Sequence, residues 1–368
     1  MIFIVGGTLA FFFEFLLLSK KGKYLADKIL AFWMFFIGLH LFLYYFELKE
    51  IVFEYPHLLG IVQPFPLFHG PLLFLYSRAL SGQIKKMQAR HLLHFIPPLI
   101  FYIYYFNFFI SSGLEKIDFV KNMMDNPDLF FTFLDPLITL SGLTYIILTY
   151  IQFRIHRRNI LDNFSNTDKK NNLHWLRNLI IGLFIIWIVV LLSGFVLDAA
   201  IQSIAVYISV VMFVICIGFF GIRQGNIFVN QVNSHLNNKL PVKDQKPYSK
   251  SGLKDEQADE LETLLINLME KEKLFLDEDL SLPQMAQLLK IHPNYLSQVI
   301  NERFKRNFNE FVNHYRIEEF KHMVAVEENR KMTFLALAYD CGFNSKASFN
   351  NSFKKFTGTT PTAFANSL

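Results

Sequence analysis

Hydrophobic positions along this chain follow two regimes. Up to about residue 223 they come as long runs, at about 2–18, 29–46, 58–77, 92–110, 129–153, 179–197 and 203–222. Beyond residue 254 they recur three and four residues apart, the spacing of one buried face on a helix in water. Most of the runs reach the roughly 17–25 residues that a helix needs to cross a bilayer. A crossing segment must be helical, because lipid offers its backbone no hydrogen-bond partner. Seven spanning helices are therefore predicted within 1–223. The first run starts at Met1, with no basic stretch before it and no small-x-small cleavage site after it. It reads as a retained span rather than a signal peptide.

Between the regimes, residues 224–253 are polar and are punctuated by Pro241, Pro247 and Gly252, as a linker is. An amphipathic helix is predicted at 254–271 from Leu261, Leu264, Leu265 and Leu268. Its expected role is to pack on the domain at 272–368 and couple it to the spans.

Composition sharpens this division. Of 368 residues, 52% are hydrophobic and only 18% charged. That excludes a disordered chain, a disulfide scaffold and a single soluble domain. Residues 1–223 hold 18 Lys/Arg against 13 Asp/Glu and 30 of the 42 Phe, whereas the remainder holds 18 of each charge. The net charge of +5 thus belongs to the apolar part. The loops after the first, third and fifth runs carry 14 Lys/Arg, including Lys20, Arg78 and Arg158; the alternate loops carry only Lys49, Lys116 and Lys121. This asymmetry puts the basic loops in the cytoplasm, the N-terminus outside and the C-terminal domain inside. Cys216 and Cys341 lie one in each part and read as small buried apolar residues rather than a disulfide.

Polar residues inside the runs include Glu14, His40, Gln63, His69 and Asp135. Such residues are candidates for sensing a signal; the alternative is hydrogen bonding that only fixes helix packing. Pro64, Pro66, Pro71, Pro97, Pro98 and Pro136 bend helices, which suits a cavity but also a plain bundle. The last run has no lysine for a retinal Schiff base, and no HExxH or GxSxG motif appears. No enzyme activity, metal or cofactor is expected.

The soluble part repeats one grammar. Ser281 and Gln284 fit a capping box opening a short helix that carries Met285, Ala286 and Leu289. A turn at 290–292 leads to Pro293, suited to the first position of a second helix, where Leu296, Val299 and Ile300 face inward. A long helix at about 308–326 has Phe308, Phe311, Val312, Tyr315 and Phe320 as its apolar stripe. Then Thr333 caps a helix carrying Leu335, Ala338 and Cys341, Gly342 suits a left-handed turn, and Ser345 caps a helix with Phe349 and Phe353 inward. The outward residues of the second helices are Asn294, Ser297, Gln298 and Asn301, then Lys346, Ser348, Asn350 and Asn351. Asn and Gln can bond adenine bidentately and Lys reaches guanine acceptors. Lys305, Arg306, Lys354 and Lys355 stand where they can neutralise phosphates.

The stretch NYLSQVINERFKRNFNEFVNHYRIEEFK, followed by LAYDCGFNSKASFNNSFKKFTGTTP, resembles the AraC-type DNA-binding domain over about 272–366. The motifs that carry this are Gly342-Phe343-Asn344-Ser345, Phe349 to Lys355, and Thr357-Gly358-Thr359-Thr360-Pro361. The resemblance implies two helix-turn-helix units on a long helix, each inserting its second helix into the major groove. It assigns base reading to Asn294, Ser297, Gln298, Lys346, Ser348, Asn350 and Asn351. The family often has arginine where Gln298 and Asn351 stand, so adenine contact is expected there rather than guanine contact. PFPLFHGPLLFLYSRAL and HLLHFIPP resemble segments of bacterial AraC-type regulators with seven spans before the DNA-binding part.

The expected fold is thus all-α: a seven-helix bundle at 1–223, a linker at 224–253, a connecting helix at 254–271 and an AraC-type domain at 272–368. The expected function is a membrane-bound transcriptional regulator that binds promoter DNA. Further expected partners are membrane lipid, an unidentified small-molecule or membrane signal, RNA polymerase and a second copy of the chain, although no heptad seam marks a dimer. The rival readings are a transporter or channel with a regulatory tail, a membrane enzyme, and a bundle that only anchors the DNA-binding part.

Overall fold

The computed structural model describes residues 1–21, 23–166, 173–197, 199–223 and 255–367. The expected linker at 224–253, like Lys169 and Lys170, lies outside the described residues. Among the described residues every regular element is a helix. They fall into two compact units, 1–154 with 173–229 and 155–172 with 230–368.

The first unit contains α1 (Ile2–Ser19), α2 (Leu25–Leu48), α3 (Ile51–Glu54), α4 (Pro66–Leu80), α5 (Ala89–Leu92), α6 (Ile96–Tyr104), α7 (Phe106–Ile110) and α8 (Gly113–Asp125). It continues with most of α9 (Leu129–Asn163), then α10 (Leu173–Val196) and α11 (Ala199–Arg223). Among the described residues four helical stretches are long and apolar enough to cross a membrane: α1, α2, α9 and Leu176–Ser193 of α10; Ile201–Ile217 of α11 is a shorter apolar stretch. The runs expected at 58–77 and 92–110 are not single helices. The first has a 3-10 turn at Pro56–Leu58 and a left-handed Gly60, and it becomes an α-helix only at Pro66. The second is divided into α5, a 3-10 turn at Leu93–Phe95, α6 and α7. Proline explains where α4 and α6 begin, since it supplies no amide N–H for the preceding turn but suits the first turn of a new helix. Pro66 opens α4, and Pro97 and Pro98 open α6.

Close backbone approach organises the packing of α1 on α2. A Cβ added to Gly7 would come within 2.7 Å of the Phe42 ring and 3.2 Å of the Gly38 carbonyl. Trp33, Met34, Leu41, Leu73 and Val214 are fully buried in one apolar cluster. The opposite faces of these helices are also apolar: Phe15, Leu140, Ile147, Ile185 and Leu192 are all exposed.

The second unit contains α12 (Asp255–Glu270), α13 (Leu282–Leu288), α14 (Pro293–Arg303), α15 (Phe308–Ala325), α16 (Phe334–Asp340), α17 (Lys346–Thr357) and α18 (Pro361–Ala365). It has two cores, and α15 supplies both. Phe308, Phe311 and Val312 join Leu265, Met285, Leu296 and Ile300 in one. Ile317 and Phe320 join Leu337, Phe343, Phe349 and Phe353 in the other. Three expected faces are met except at single positions. On α12 the buried row is Ala258, Leu261, Leu265 and Met269, while Leu264 is exposed and Leu268 half-buried. On α16, Leu337 is buried and Leu335 half-buried. On α15, Tyr315 is half-buried and Asn313 and Arg316 are buried instead. An i, i+4 row tracks one narrow ridge of a helix, and these ridges were set by the neighbouring elements rather than by residue type.

The pairs α13–α14 and α16–α17 share one turn. In the first pair Lys290 donates its amide to the Gln287 carbonyl at 3.1 Å and Ile291 to Ala286 at 3.0 Å. In the second, Gly342 donates to Tyr339 at 2.9 Å and Phe343 to Ala338 at 3.0 Å. Both are the double hydrogen-bond closure that ends a helix through one left-handed residue, Lys290 at φ 55° and Gly342 at φ 89°. Only the second position demands glycine on steric grounds. A Cβ there would lie 2.5 Å from the Phe275 carbonyl oxygen and 2.8 Å from that of Leu276. Gly342→Ala is therefore expected to destabilise the second unit by at least about 2 kcal/mol, from the left-handed penalty and the clash together. Lys290→Gly should change stability by less than about 1 kcal/mol. Denaturant midpoints of the two variants check this contrast.

Candidate nucleic-acid interface

The second helix of each pair is oriented by its cap and its core residues. Ser345 accepts the Ser348 amide at 3.1 Å, and Phe349 and Phe353 anchor α17 from beneath. Lys346, Asn350, Asn351, Lys354 and Lys355 are left exposed, with Ser348 half-buried near the cap. On α14, Leu296, Val299 and Ile300 point inward, Asn294 is exposed, and Ser297 and Gln298 are half-buried. The structure thus puts Lys346, Ser348, Asn350 and Asn351 on one short helix, and Asn294, Ser297 and Gln298 on another. Two side chains of the second group already have partners within α14. Gln298 donates to Glu302 at 3.0 Å, and the Ser297 hydroxyl accepts from Asn301 at 3.3 Å.

The four expected phosphate-binding cations differ in the same way. Lys305 and Lys354 are exposed and have no ion pair among the described residues. Lys355 pairs with Glu310 across the space between α17 and α15. The Arg306 guanidinium stands over the Phe356 ring, 5.5 Å from its centroid. Arg303, at the end of α14, is held by Asp259 at 2.6 Å and so ties α12 to the pair.

Between the two cores lies a polar junction that periodicity did not reveal. The guanidinium of Arg316 is fully buried. It donates to the carbonyls of Phe275 at 2.7 Å and Asp277 at 2.8 Å, and to the side-chain oxygens of Asn313 at 3.1 Å, Asn166 at 3.2 Å and Ser165 at 3.2 Å. Burial pulls its pKa down to about 9, which still leaves it charged at neutral pH. Ser165 and Asn166 come from the segment after α9 and are themselves buried. The one available signal was an arginine four residues from Val312 and four from Phe320, on the core ridge of a long helix.

In the first unit the structure brings together two of the five polar candidates. His40 Nδ1 and His69 Nε2 are 3.0 Å apart, with their rings stacked. Trp33 Nε1 donates to His69 Nδ1 at 3.2 Å, and His40 Nε2 meets the Tyr207 hydroxyl at 2.7 Å. Gln63 lies elsewhere, beside Glu47 in the wall of a cavity of about 240 Å³ otherwise lined by apolar and aromatic groups, among them Phe101, Tyr105 and Phe108. Glu14 and Asp135 join neither group and make no hydrogen bond or ion pair among the described residues; Asp135 is exposed.

Residues 285–367 match a family model described as a helix-turn-helix domain. That match supports a DNA-binding regulator of AraC type, and it points to a regulator rather than an enzyme. No curated protein matches the chain. Among solved structures, a protein of unknown function from Listeria innocua is similar at 24% identity, over 29% of this chain and 94% of that one, with a TM-score of 0.25. A TM-score of that size carries neither fold nor function across.

Cys341 sits beneath the second turn with no exposed surface, 3.5 Å from the Met323 sulfur. Burial, together with Glu319 and Asp340, pushes its thiol up to about 12. It is expected to resist iodoacetamide at pH 8 until the second unit unfolds, because the thiolate is the reacting form. Mass spectrometry of alkylated peptides with and without denaturant checks this.

Proposed function

We propose that the chain is a membrane-bound one-component transcriptional regulator whose two helix-turn-helix units bind promoter DNA sequence-specifically. The observation that carries this reading is α17. It lies within the matched helix-turn-helix region, and its solvent face joins Lys346 and Asn350 near the start to Lys354 and Lys355 at the end. Asn and Lys at the start of such a helix read base edges, and lysines at its end hold phosphates. In this reading Lys346, Ser348, Asn350 and Asn351 read one groove segment, and Asn294, Ser297 and Gln298 read the next. Gln298 must exchange Glu302 for a base, and Lys355 must exchange Glu310 for a phosphate. Lys305 and Lys354 need no such exchange.

The membrane part of the proposal is supported by helices that are apolar on their outer as well as their inner faces, a pattern suited to lipid and not to water. The loop charges favour seven passes with the DNA-binding units on the cytoplasmic side, the third and fourth passes being broken at proline. Signal sensing is assigned to this bundle. The aromatic cavity beside Glu47 and Gln63 suits a small apolar ligand with one polar group, and the His40–His69 contact is a polar element in an apolar core.

The test is a mobility-shift titration of the full chain in lipid nanodiscs against promoter fragments and random competitor DNA. Sequence-selective binding that weakens steeply with salt is expected. Lys346→Ala or Asn350→Ala should relax specificity at a cost of about 1–3 kcal/mol on cognate DNA, whereas Lys354→Ala should weaken all sequences alike. Equal losses on cognate and random DNA for all three variants would overturn the residue assignment.

A further inference from the structure

The second unit is not built only from the C-terminal part of the sequence. Phe164, Ser165 and Asn166, more than a hundred residues upstream, are part of it. They run as an extended strip along a slot with three walls. The first wall is the chain leading into α13: Ser165 donates its amide and hydroxyl to the Leu280 carbonyl at 3.2 and 2.7 Å, Asn166 donates to the Glu278 carbonyl at 2.6 Å, and Phe164 forms an antiparallel bridge with Ser281. The second wall is α15, where Asn309 donates to the Ser165 carbonyl at 2.6 Å and Asn313 to the same oxygen at 3.3 Å. The third is the turn between α16 and α17, whose Gly342 carbonyl accepts from Asn166 at 3.1 Å. Arg316 closes the floor, and two of its five donated hydrogen bonds go to Ser165 and Asn166.

This is a built interface. A guanidinium has five N–H donors, and a buried one must place all of them. Here the strip completes the set, and no carboxylate is among the five acceptors. Withdrawing the strip would strand a buried cation and the carbonyls of Glu278, Leu280 and Gly342 at the place where the two helix pairs meet. The hydrogen bonds of the strip named above go to 278–281, α15 and Gly342 and not to the proposed base-reading residues. The strip also follows directly on α9, an unbroken helix of 35 residues that starts in the first unit and ends in the second.

We propose that the slot formed by 277–281, α15 and Gly342 is a docking surface for this chain's own Phe164-Ser165-Asn166 strip, and that its occupancy holds the two helix pairs in the relative placement that DNA requires. Two successive major-groove segments lie about 34 Å apart on one face of the duplex, so a shift at the junction misplaces one recognition helix relative to the other. The proposal rests on the regulator reading above and specifies its route. The signal reaches the DNA-binding units through α9 and the strip, at the junction, and not through the linker at 224–253.

The experiment uses the full chain in nanodiscs, with hydrogen exchange read alongside DNA affinity. In the wild type the Ser165 amide should be protected. In Asn166→Ala, and in the milder Ser165→Ala, exchange should rise in peptides covering 276–281 and 339–345. Cognate affinity should fall about tenfold for Asn166→Ala, as expected when a buried carbonyl and a guanidinium N–H lose their partner. Asn301→Ala, on the outer face of α14, serves as the control and should leave exchange at 339–345 unchanged. A wild-type Ser165 amide that exchanges like an unstructured loop overturns the proposal, even if the variants fail to fold. So does an Asn166→Ala protein with wild-type affinity and wild-type exchange. A wild type that protects Ser165 but shows no preference among DNA sequences counts against the regulator reading. In that event the exchange change at 339–345 still decides whether the strip holds the junction.

Discussion

A buried positive charge with no carboxylate among its hydrogen-bond acceptors organises the C-terminal half of this protein. The Arg316 guanidinium lies inside, and its five acceptors are two backbone carbonyls, two asparagine side chains and a serine hydroxyl. Each acceptor must be held at one place, because leaving any donor unmatched in the interior is costly. The carbonyls of Phe275 and Asp277 fix the segment leading into the first helix pair. Gly342 fits against that segment only because it has no Cβ. Asn313 is drawn into the core of α15, where an apolar residue would otherwise stand. The two apolar cores on either side of this junction share α15, and the polar set lies between them.

How much of this was legible in the sequence depends on how local the cause was. The caps at Ser281 and Thr333, the left-handed Gly342 and the inward Phe349 and Phe353 were all readable, because each is decided within a few residues. The breaks in the runs at 58–77 and 92–110 were visible as prolines but not as breaks, since apolarity was read over the run while a missing amide acts on a single turn. Leu264 and Tyr315 were expected inside on residue type; Leu264 is exposed at the edge of its ridge and Tyr315 is half-buried against the core. Arg316 was marked only by its place on a core ridge, and its pairing with Ser165 and Asn166 was not legible at all. Serine and asparagine in a loop carry no periodic mark, and their partner lies about 150 positions away.

In the apolar half the same contrast holds between a residue and its register. His40, His69 and Gln63 were picked out one by one as polar groups in apolar runs. Which of them meet depends on how α2 and α4 are set against each other. That setting shows in ring contacts between the two helices, such as Phe36 of α2 against Phe68 of α4 with centroids 4.5 Å apart. The two histidines come together in one group and Gln63 lies beside a cavity in another, so a single list of polar residues resolves into two separate places.

The chain Trp33–His69–His40–Tyr207 has a direction. An indole N–H can only donate. His69, receiving that bond at Nδ1, is therefore left with Nε2 as its donor toward His40, and neutral His40 must in turn donate from Nε2 to the Tyr207 oxygen. Each tautomer is dictated by the one before it, and the tyrosine is left with a hydroxyl hydrogen to offer outside the chain. The arrangement behaves as a one-way row whose sense is set at one end: replacing the indole with a group that cannot donate would let every member turn round together. A single aromatic nitrogen on α2 thus decides which way α11's Tyr207 presents its hydrogen.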